Sequence, residues 1–437
     1  AENESAYVNG TAYLFLPHDV VAGQSVIRLS VSAHPQNDEI SRRWFRVGFG
    51  LWWLMGVLEN GVNCVLHGVP RPAFCGQNVY FGDIHVHTAQ TGVLNGDGCG
   101  VGSVTSNLKY ARDVSLLDFC AITDHDWQLD AADWKLLRDT NDQFNEDGRF
   151  VALHAYEWTS PTYGHRNVYF RNGSEIPDDL KPFNCQAEPF KFVKYGQATD
   201  HDPNPEALWD WLEHHELTAM TIPHHPNSEQ FVMDLDRYYN ETYDRCIEVY
   251  SSWGTVFEDD HPLNLCSERI PGYGYARYSG KKHFGFVASS DGHDGNAGDA
   301  NVARYKRHLA HYAGSGRVAV FCDGLSRGEI FDAIHARHCY AVTGEPILLY
   351  FSIGSAMMGD LLCTPGKQTF YIAAEATLPV THVKLYCNGK IIDSAPVDGS
   401  KKLEYRREIE VQRGSSYWVE LRQEDGEYAW SSPISCL

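Results

Sequence analysis

The chain is expected to fold as an α/β protein, a distorted seven-stranded (β/α) barrel flanked by two β-rich parts. Three observations point there. Strand-like and helix-like segments alternate from about residue 77 to 344. Residues able to bind metal recur at or just after the apolar runs in that stretch. After Gly344-Glu345-Pro346 the pattern changes to apolar/polar alternation with turn signals such as Asn388-Gly389 and Asp425-Gly426. The expected organisation is a β-rich extension over 1–76, a barrel over 77–344 and a β-sandwich over 345–437.

Residues 1–76 contain strand-like runs at Ala12-Tyr13-Leu14-Phe15-Leu16 and at 25–31, separated by Gly, Pro and Asp. The run WFRVGFGLWWLMGVL ending at Leu58 carries more aromatic surface than water tolerates, so it is expected to pack on the barrel or on a second copy of the chain. A homo-oligomer through this segment is one expectation. In the barrel, strands are expected at 79–86, 118–123, 150–156, 217–222, 246–250, 284–289 and 317–322. Helices are expected at 103–116, 130–146, 205–216 and 325–336. His214 and His215 fall at the end of the third helix and read as a solvated terminus.

The chemistry-bearing residues begin with Phe81-Gly82-Asp83-Ile84-His85-Val86-His87-Thr88. Residues two apart on a strand share a face, so His85 and His87 would present two imidazoles together. Thr123-Asp124-His125, Glu157 with His165, Pro223-His224-His225 and Asp291-Gly292-His293 follow. An HxH alone is weak, but five such positions recurring at strand ends are not. The eight candidates His85, His87, His125, Glu157, His165, His224, Asp291 and His293 are too many for one ion and fit two or three of Zn, Mn or Fe. Glu157 is the natural bridging carboxylate. Of the adjacent pair, His224 is favoured over His225, because neighbours on a strand face opposite ways and Pro223 stiffens the strand end. Asp83 and Asp124 are expected to orient imidazoles from behind, and His154 is read as structural.

No Gly-x-Ser-x-Gly elbow occurs, so covalent serine catalysis is not favoured. The expected reaction is attack of a metal-bridged hydroxide on a phosphorus or carbonyl centre. Glu157 and Asp291 would serve catalysis, and Arg166 would hold an anionic part of the substrate, with a structural ion pair as its alternative role. Trp127, Trp158, Tyr163 and Trp253 flank these motifs, either as walls for an organic substrate or, for at least two of them, as packing.

The series Asp83-x-His85-x-His87, Thr123-Asp124-His125, Glu157, Pro223-His224 and Asp291-x-His293 resembles the PHP superfamily, the polymerase-and-histidinol-phosphatase metallohydrolases. YEWT at 156–159, HRNVYF at 165–170, EVYSSWG at 248–254 and FGFVASSDGH at 284–293 are similar to an exported, poorly characterised branch related to carbamate-insecticide hydrolases. The resemblance implies a distorted (β/α) barrel of the PHP type with up to three metals. His85, His87, Glu157 and Asp291 would hold the first, Glu157, His165 and His224 the second, and His125 with His293 the third. Many PHP phosphatases carry a further His shortly after the HxH, whereas Ala89 to Gly98 has none, which leaves two ions or three open.

A net charge of −21 argues against a nucleic-acid backbone as partner. The most apolar stretch, Val47 to Leu58, is too short to span a bilayer, which takes about 20 residues. Twelve cysteines, sequons at Asn3, Asn9, Asn172 and Asn240, and Ala1 in place of a starting Met fit a secreted or periplasmic glycoprotein with its leader removed. Cys64 with Cys75, and two of Cys363, Cys387 and Cys436, are the expected disulfides, while Cys120 and Cys322 are expected as buried thiols. The leading function is a phosphoesterase acting on a small-molecule ester. A carbamate, ester or amide hydrolase on the same metal site is the alternative, and an extracellular assembly protein built on this fold is a third reading.

Overall fold

The computed structural model describes residues 73–90, 99–185, 202–229, 233–257, 259–264, 270, 274–298, 316–362 and 364–436. It also gives the backbone of six strands before residue 71. Of these, Ser5–Val8 and Thr11–Leu14 form a hairpin, and Val26–Leu29, Trp44–Phe49, Trp52–Val57 and Cys64–Pro70 form a four-stranded sheet.

Beyond it the strands are β1 (Val79–Asp83), β2 (Phe119–Ala121), β3 (Val151–Ser160), β4 (Gly164–Phe170), β5 (Ala219–His224), β6 (Cys246–Ser251), β7 (Gly285–Ala288), β8 (Arg317–Phe321) and β9 (Cys339–Val342). The helices are α1 (Val104–Asp113), α2 (Ala131–Phe144), α3 (Pro205–His214) and α4 (Arg327–His335). Each helix starts where a side chain accepts from the first turn: Ser103, Asp130, Asn204 and Ser326 cap them in order.

The expected alternation of parallel strands is only partly realised. β1, β2 and β3 run parallel, but β3, β4 and β5 form an antiparallel meander, and β8 lies antiparallel to β1. β4 was absent from the expected strands; the short link from Ser160 to Gly164 permits only an antiparallel return. Among the described residues, continuous pairing does not close a barrel. β6 and β7 form a separate parallel pair, joined to β5 by the lone bridge Thr221–Asp244 and to the chain after β1 by Val86–Gly292.

Side-chain parity explains where the site lies. On β3, Val151, Leu153 and Ala155 enter the apolar interior with Phe119, Ala121, Tyr169, Met220 and Ile222. Ala152, Tyr156 and Trp158 face outward into a second core that also takes in Leu108, Ala111, Trp134, Leu137, Leu208 and Leu212 from α1 to α3. Glu157 continues the inward series on β3, His224 does so on β5, and His165 shares its parity with Tyr169 on β4. The polar cluster therefore caps an apolar plug.

C-terminal to residue 344, Leu348–Ile353, Gly366–Glu375 and Lys402–Val411 form one sheet. Across a core containing Leu349, Phe351, Phe370, Val383, Val419 and Leu421 it faces strands Val380–Cys387 and Ser415–Gln423. The latter sheet is continuous with β9 through Tyr428–Ser431. Cys75, Cys387 and Cys436 are free thiols, so the expected bridges do not form. Strand Ser415–Gln423 pairs with Cys387's strand at Tyr417 and with Cys436 at Ser415, and so lies between the two cysteines. No helix among the described residues is long and apolar enough to cross a membrane.

The buried Glu420 carboxylate joins this sheet to the segment around His261. It accepts from Lys384 Nζ at 3.1 Å and Trp430 Nε1 at 3.1 Å, and lies 3.2 Å from His261 Nε2. Burial opposes its charge, but His261 and Lys384 prevail and hold its pKa down to about 2. A depressed carboxylate stabilises the fold above its unfolded pKa, about 4.5, and that contribution disappears as pH falls toward 2. Glu420→Ala is expected to cost about 3–5 kcal/mol. Thermal unfolding between pH 6 and pH 3 should steepen less with pH in Glu420→Gln than in the parent.

Candidate metal centre

The segment after β1 leaves regular pairing and is tied elsewhere. His87 N donates to Gly292 O at 2.8 Å, Gly292 N to His85 O at 3.3 Å, and Thr123 N to Val86 O at 2.8 Å. These bonds set His85-Val86-His87 beside Asp291-Gly292-His293 and Thr123-Asp124-His125. Glu157 N donates to Asp124 O at 3.1 Å and so brings β3 to the same point.

Glu157 is the hub. Its Oε2 lies 3.5 Å from His85 Nε2, 3.1 Å from His87 Nε2 and 3.1 Å from His125 Nδ1. Its Oε1 lies 2.8 Å from His165 Nδ1 and 3.2 Å from His224 Nε2. Asp291 Oδ1 sits 3.2 Å from both His85 Nε2 and His87 Nε2. All eight candidate residues thus converge, and every one except His293 is buried.

The donor set fits divalent cations. His85 Nδ1 faces Glu248 Oε2 at 2.9 Å, and a carboxylate only accepts, so the proton sits on Nδ1 and the Nε2 lone pair points at two carboxylates. His85 Nε2, both ring nitrogens of His87 and His224 Nδ1 are buried without a hydrogen-bond partner. Lone pairs and carboxylate oxygens facing one another at these distances need positive charge between them, from protons or from a metal. The titration of the acids reflects this: burial pushes Glu157 and Asp291 up, but the surrounding imidazoles hold both well below the usual carboxylate range. Burial likewise opposes charge on His85, yet Asp291 and Glu248 raise it to about 10.

Several expectations need correction. Arg166 does not enter the cluster, because alternation on β4 turns it away from His165. It is fully buried, with Nε 3.5 Å from Asp244 Oδ1, Nη2 donating to Tyr238 O at 3.0 Å and its guanidinium 5.9 Å from the Trp209 ring centre. His225 joins His224: its φ of +51° marks the end of the strand, and its Nε2 lies 3.0 Å from Asp291 Oδ2. Asp83 and Asp124 hold backbone rather than imidazoles. Asp83 accepts from Ser290 N at 2.9 Å and Gly298 N at 2.8 Å, and Asp124 from Thr88 N and Oγ1, each at 2.6 Å.

The imidazoles are oriented by other groups, among them Glu248 behind His85 and Thr159 Oγ1 at 2.6 Å from His125 Nδ1. The Asp291 carbonyl lies 2.9 Å from His293 Nδ1. Glu248 was missed, although a lone carboxylate inside Ile247-Glu248-Val249 was the available signal. Cys99 was missed as well, and its sulfur lies within 4.8 Å of ligand atoms of His87, His125 and His293. Trp158 is packing, Trp127 stacks on His125 with ring centres 5.2 Å apart, and Trp253 Nε1 donates to Asp291 Oδ2 at 2.6 Å. Tyr163 meets Tyr238 edge-on. His154, 3.1 Å from Asp142, lies outside the cluster, as do His214 and His215 at the end of α3.

Arg166→Ala is expected to destabilise by about 3–5 kcal/mol, since Asp244 would be left buried and uncompensated. Thermal unfolding together with elemental analysis checks this; an unchanged melting temperature with a raised KM would return Arg166 to a substrate role.

A family model described as a protein of unknown function (DUF3604) matches residues 109–244. Uncharacterized proteins of Chlamydia muridarum and Chlamydia trachomatis serovar D are each 27% identical, over 378 and 376 residues, covering 78% of this chain. The chain spans 56% of the length of these curated relatives. Among solved structures it is similar to a two-domain protein from Bacteroides vulgatus containing a predicted PHP-like metal-dependent phosphoesterase. That match has 13% identity and a TM-score of 0.40, and covers 83% of this chain and 97% of the other.

Proposed function

We propose that the chain is a metal-dependent hydrolase of phosphate esters, with two or three divalent cations of the Zn, Mn or Fe class. One observation carries this reading: the two oxygens of the buried Glu157 carboxylate divide five imidazoles between them at 2.8–3.5 Å, while Asp291 faces two of the same rings. Such an arrangement suits a carboxylate bridging neighbouring cations. His85, His87, Glu157 and Asp291 would hold one, and Glu157, His165 and His224 another. When bound, the cations supply Lewis acidity and a water of lowered pKa. The protein's part is to fix the rings through Glu248, Thr159 and the Asp291 carbonyl, and to keep the inner side dry over the apolar plug. In this reading the expected strands β1, β2, β3, β5, β6, β7 and β8 belong to a distorted PHP-type barrel into which β4 is inserted, supported by the bridges Thr221–Asp244 and Val86–Gly292.

The withdrawal of Arg166 favours a second reading, in which the same centre cleaves a neutral carbamate, ester or amide. We also propose export from the cell and self-association through the N-terminal segment; self-association is tested by comparing the light scattering of the full chain with that of a chain lacking residues 1–76, and export by whether the protein fractionates outside the cytoplasm.

The deciding experiment is elemental analysis of protein purified without chelator, followed by turnover of phosphomonoesters, phosphodiesters and carbamates. Two or three ions per chain, reduced in His85→Ala, are expected; fewer than one ion after added metal overturns the reading. Glu248→Gln should weaken metal binding about 10–100-fold in titration calorimetry while leaving the fold intact.

A further inference from the structure

Four residues near the open side of the centre form a group with a different character from the rest. Ligand atoms of His87, Cys99, His125 and His293 all lie within 4.8 Å of one another. The other two groupings, His85 with Glu157 and His224, and His85 with His87 and Asp291, each contain a carboxylate. This one offers sulfur and imidazole nitrogen only.

The backbone is shaped to deliver the thiol. Gly100 N donates to Thr88 O at 3.1 Å, and Ala89 N donates to Gly102 O at 2.8 Å, so the segment carrying Cys99 is laced to the one carrying His87. A Cβ on residue 100 would come within 2.3 Å of the His87 carbonyl carbon and oxygen, so only glycine permits this approach. The imidazoles are also turned the right way. His293 Nδ1 is engaged by the Asp291 carbonyl, and His125 Nδ1 by Thr159 and Glu157, which leaves both Nε2 atoms for a ligand. His87 Nε2 lies 3.1 Å from Glu157 Oε2 and 3.2 Å from Asp291 Oδ1, so His87 stands between this group and the carboxylate-bearing ones.

We propose that Cys99 is a thiolate ligand of a third metal site, completed by His125 and His293 with His87 alongside, and selective for Zn(II) or Co(II) over Mn(II) and Mg(II). Thiolate and imidazole donors without a carboxylate favour the softer borderline ions, whereas the carboxylate-bearing groupings accept harder ones. The proposal rests on the metal-centre reading above and assigns to its third ion a sulfur ligand, Cys99, that makes this site chemically distinct from the other two.

The test uses the full chain, stripped of metal and reloaded with Co(II), and reads the near-ultraviolet absorption that only a thiolate–cobalt contact produces. Wild type should show the band, and Cys99→Ser should lose it together with one equivalent of metal while retaining the others. Cys99→His should restore the equivalent without the band. Mn(II) should load one equivalent fewer than Zn(II) in wild type and the same number as Zn(II) in Cys99→Ser. Circular dichroism confirms that both variants fold. Wild type that binds two ions without the band, or Cys99→Ser with an unchanged band and metal count, overturns this proposal and leaves the carboxylate-bridged centre standing. A wild type that binds no metal overturns both.

Discussion

The molecule is organised around a buried carboxylate that cannot be left alone. Glu157 sits in the middle of β3, above an apolar interior, where an isolated negative charge would be prohibitively costly. Five imidazoles meet that cost jointly, and they come from the segment after β1, the loop after β2, and strands β4 and β5. The positions of these strands are therefore coupled through one side chain. The meander β3–β4–β5 places His165 opposite His224 in register, so the two rings approach Glu157 from adjacent strands of a single sheet.

Much of this was legible in the sequence because it follows from period and type. Apolar runs ending in His, Asp or Glu marked the strand ends, and parity on β3 and β5 alone places Glu157 and His224 over the interior core. What could not be read depended on contacts between distant segments. The direction of β4 was set by a short turn, the role of Arg166 by which face of β4 turned outward, and the inclusion of His225 by a left-handed backbone at the strand end. Asp83 and Asp124 sat in the right motifs but spent their oxygens elsewhere, Asp83 on backbone amides and Asp124 on the amide and hydroxyl of Thr88. Cys99 carried no local signal of its chemistry, since its neighbours in space are far from it in the chain.

The distribution of charge bears on what the centre can recognise. Arg166 is committed to Asp244 and to the carbonyls of Tyr163 and Tyr238, outside the cluster. An overall charge of −21 repels free anions at long range. In the proposed function, cations held at the centre would supply attraction for a phosphate that Arg166 does not, so affinity for substrate would follow occupancy by metal.

The lacing of His85-Val86-His87 to Asp291-Gly292-His293 has a consequence for how the protein is made. Ser290 Oγ donates to His85 O across 205 residues of chain. As the polypeptide emerges from the ribosome, His85 precedes its partner Ser290 by 205 residues, so the HxH segment is made before the segment it is laced to. Contacts of such long sequence separation form late in folding. If the centre holds metal as proposed, the nascent chain would have no complete chelating pocket with which to seize whichever ion is most abundant, and the choice of metal would be deferred to a nearly finished fold.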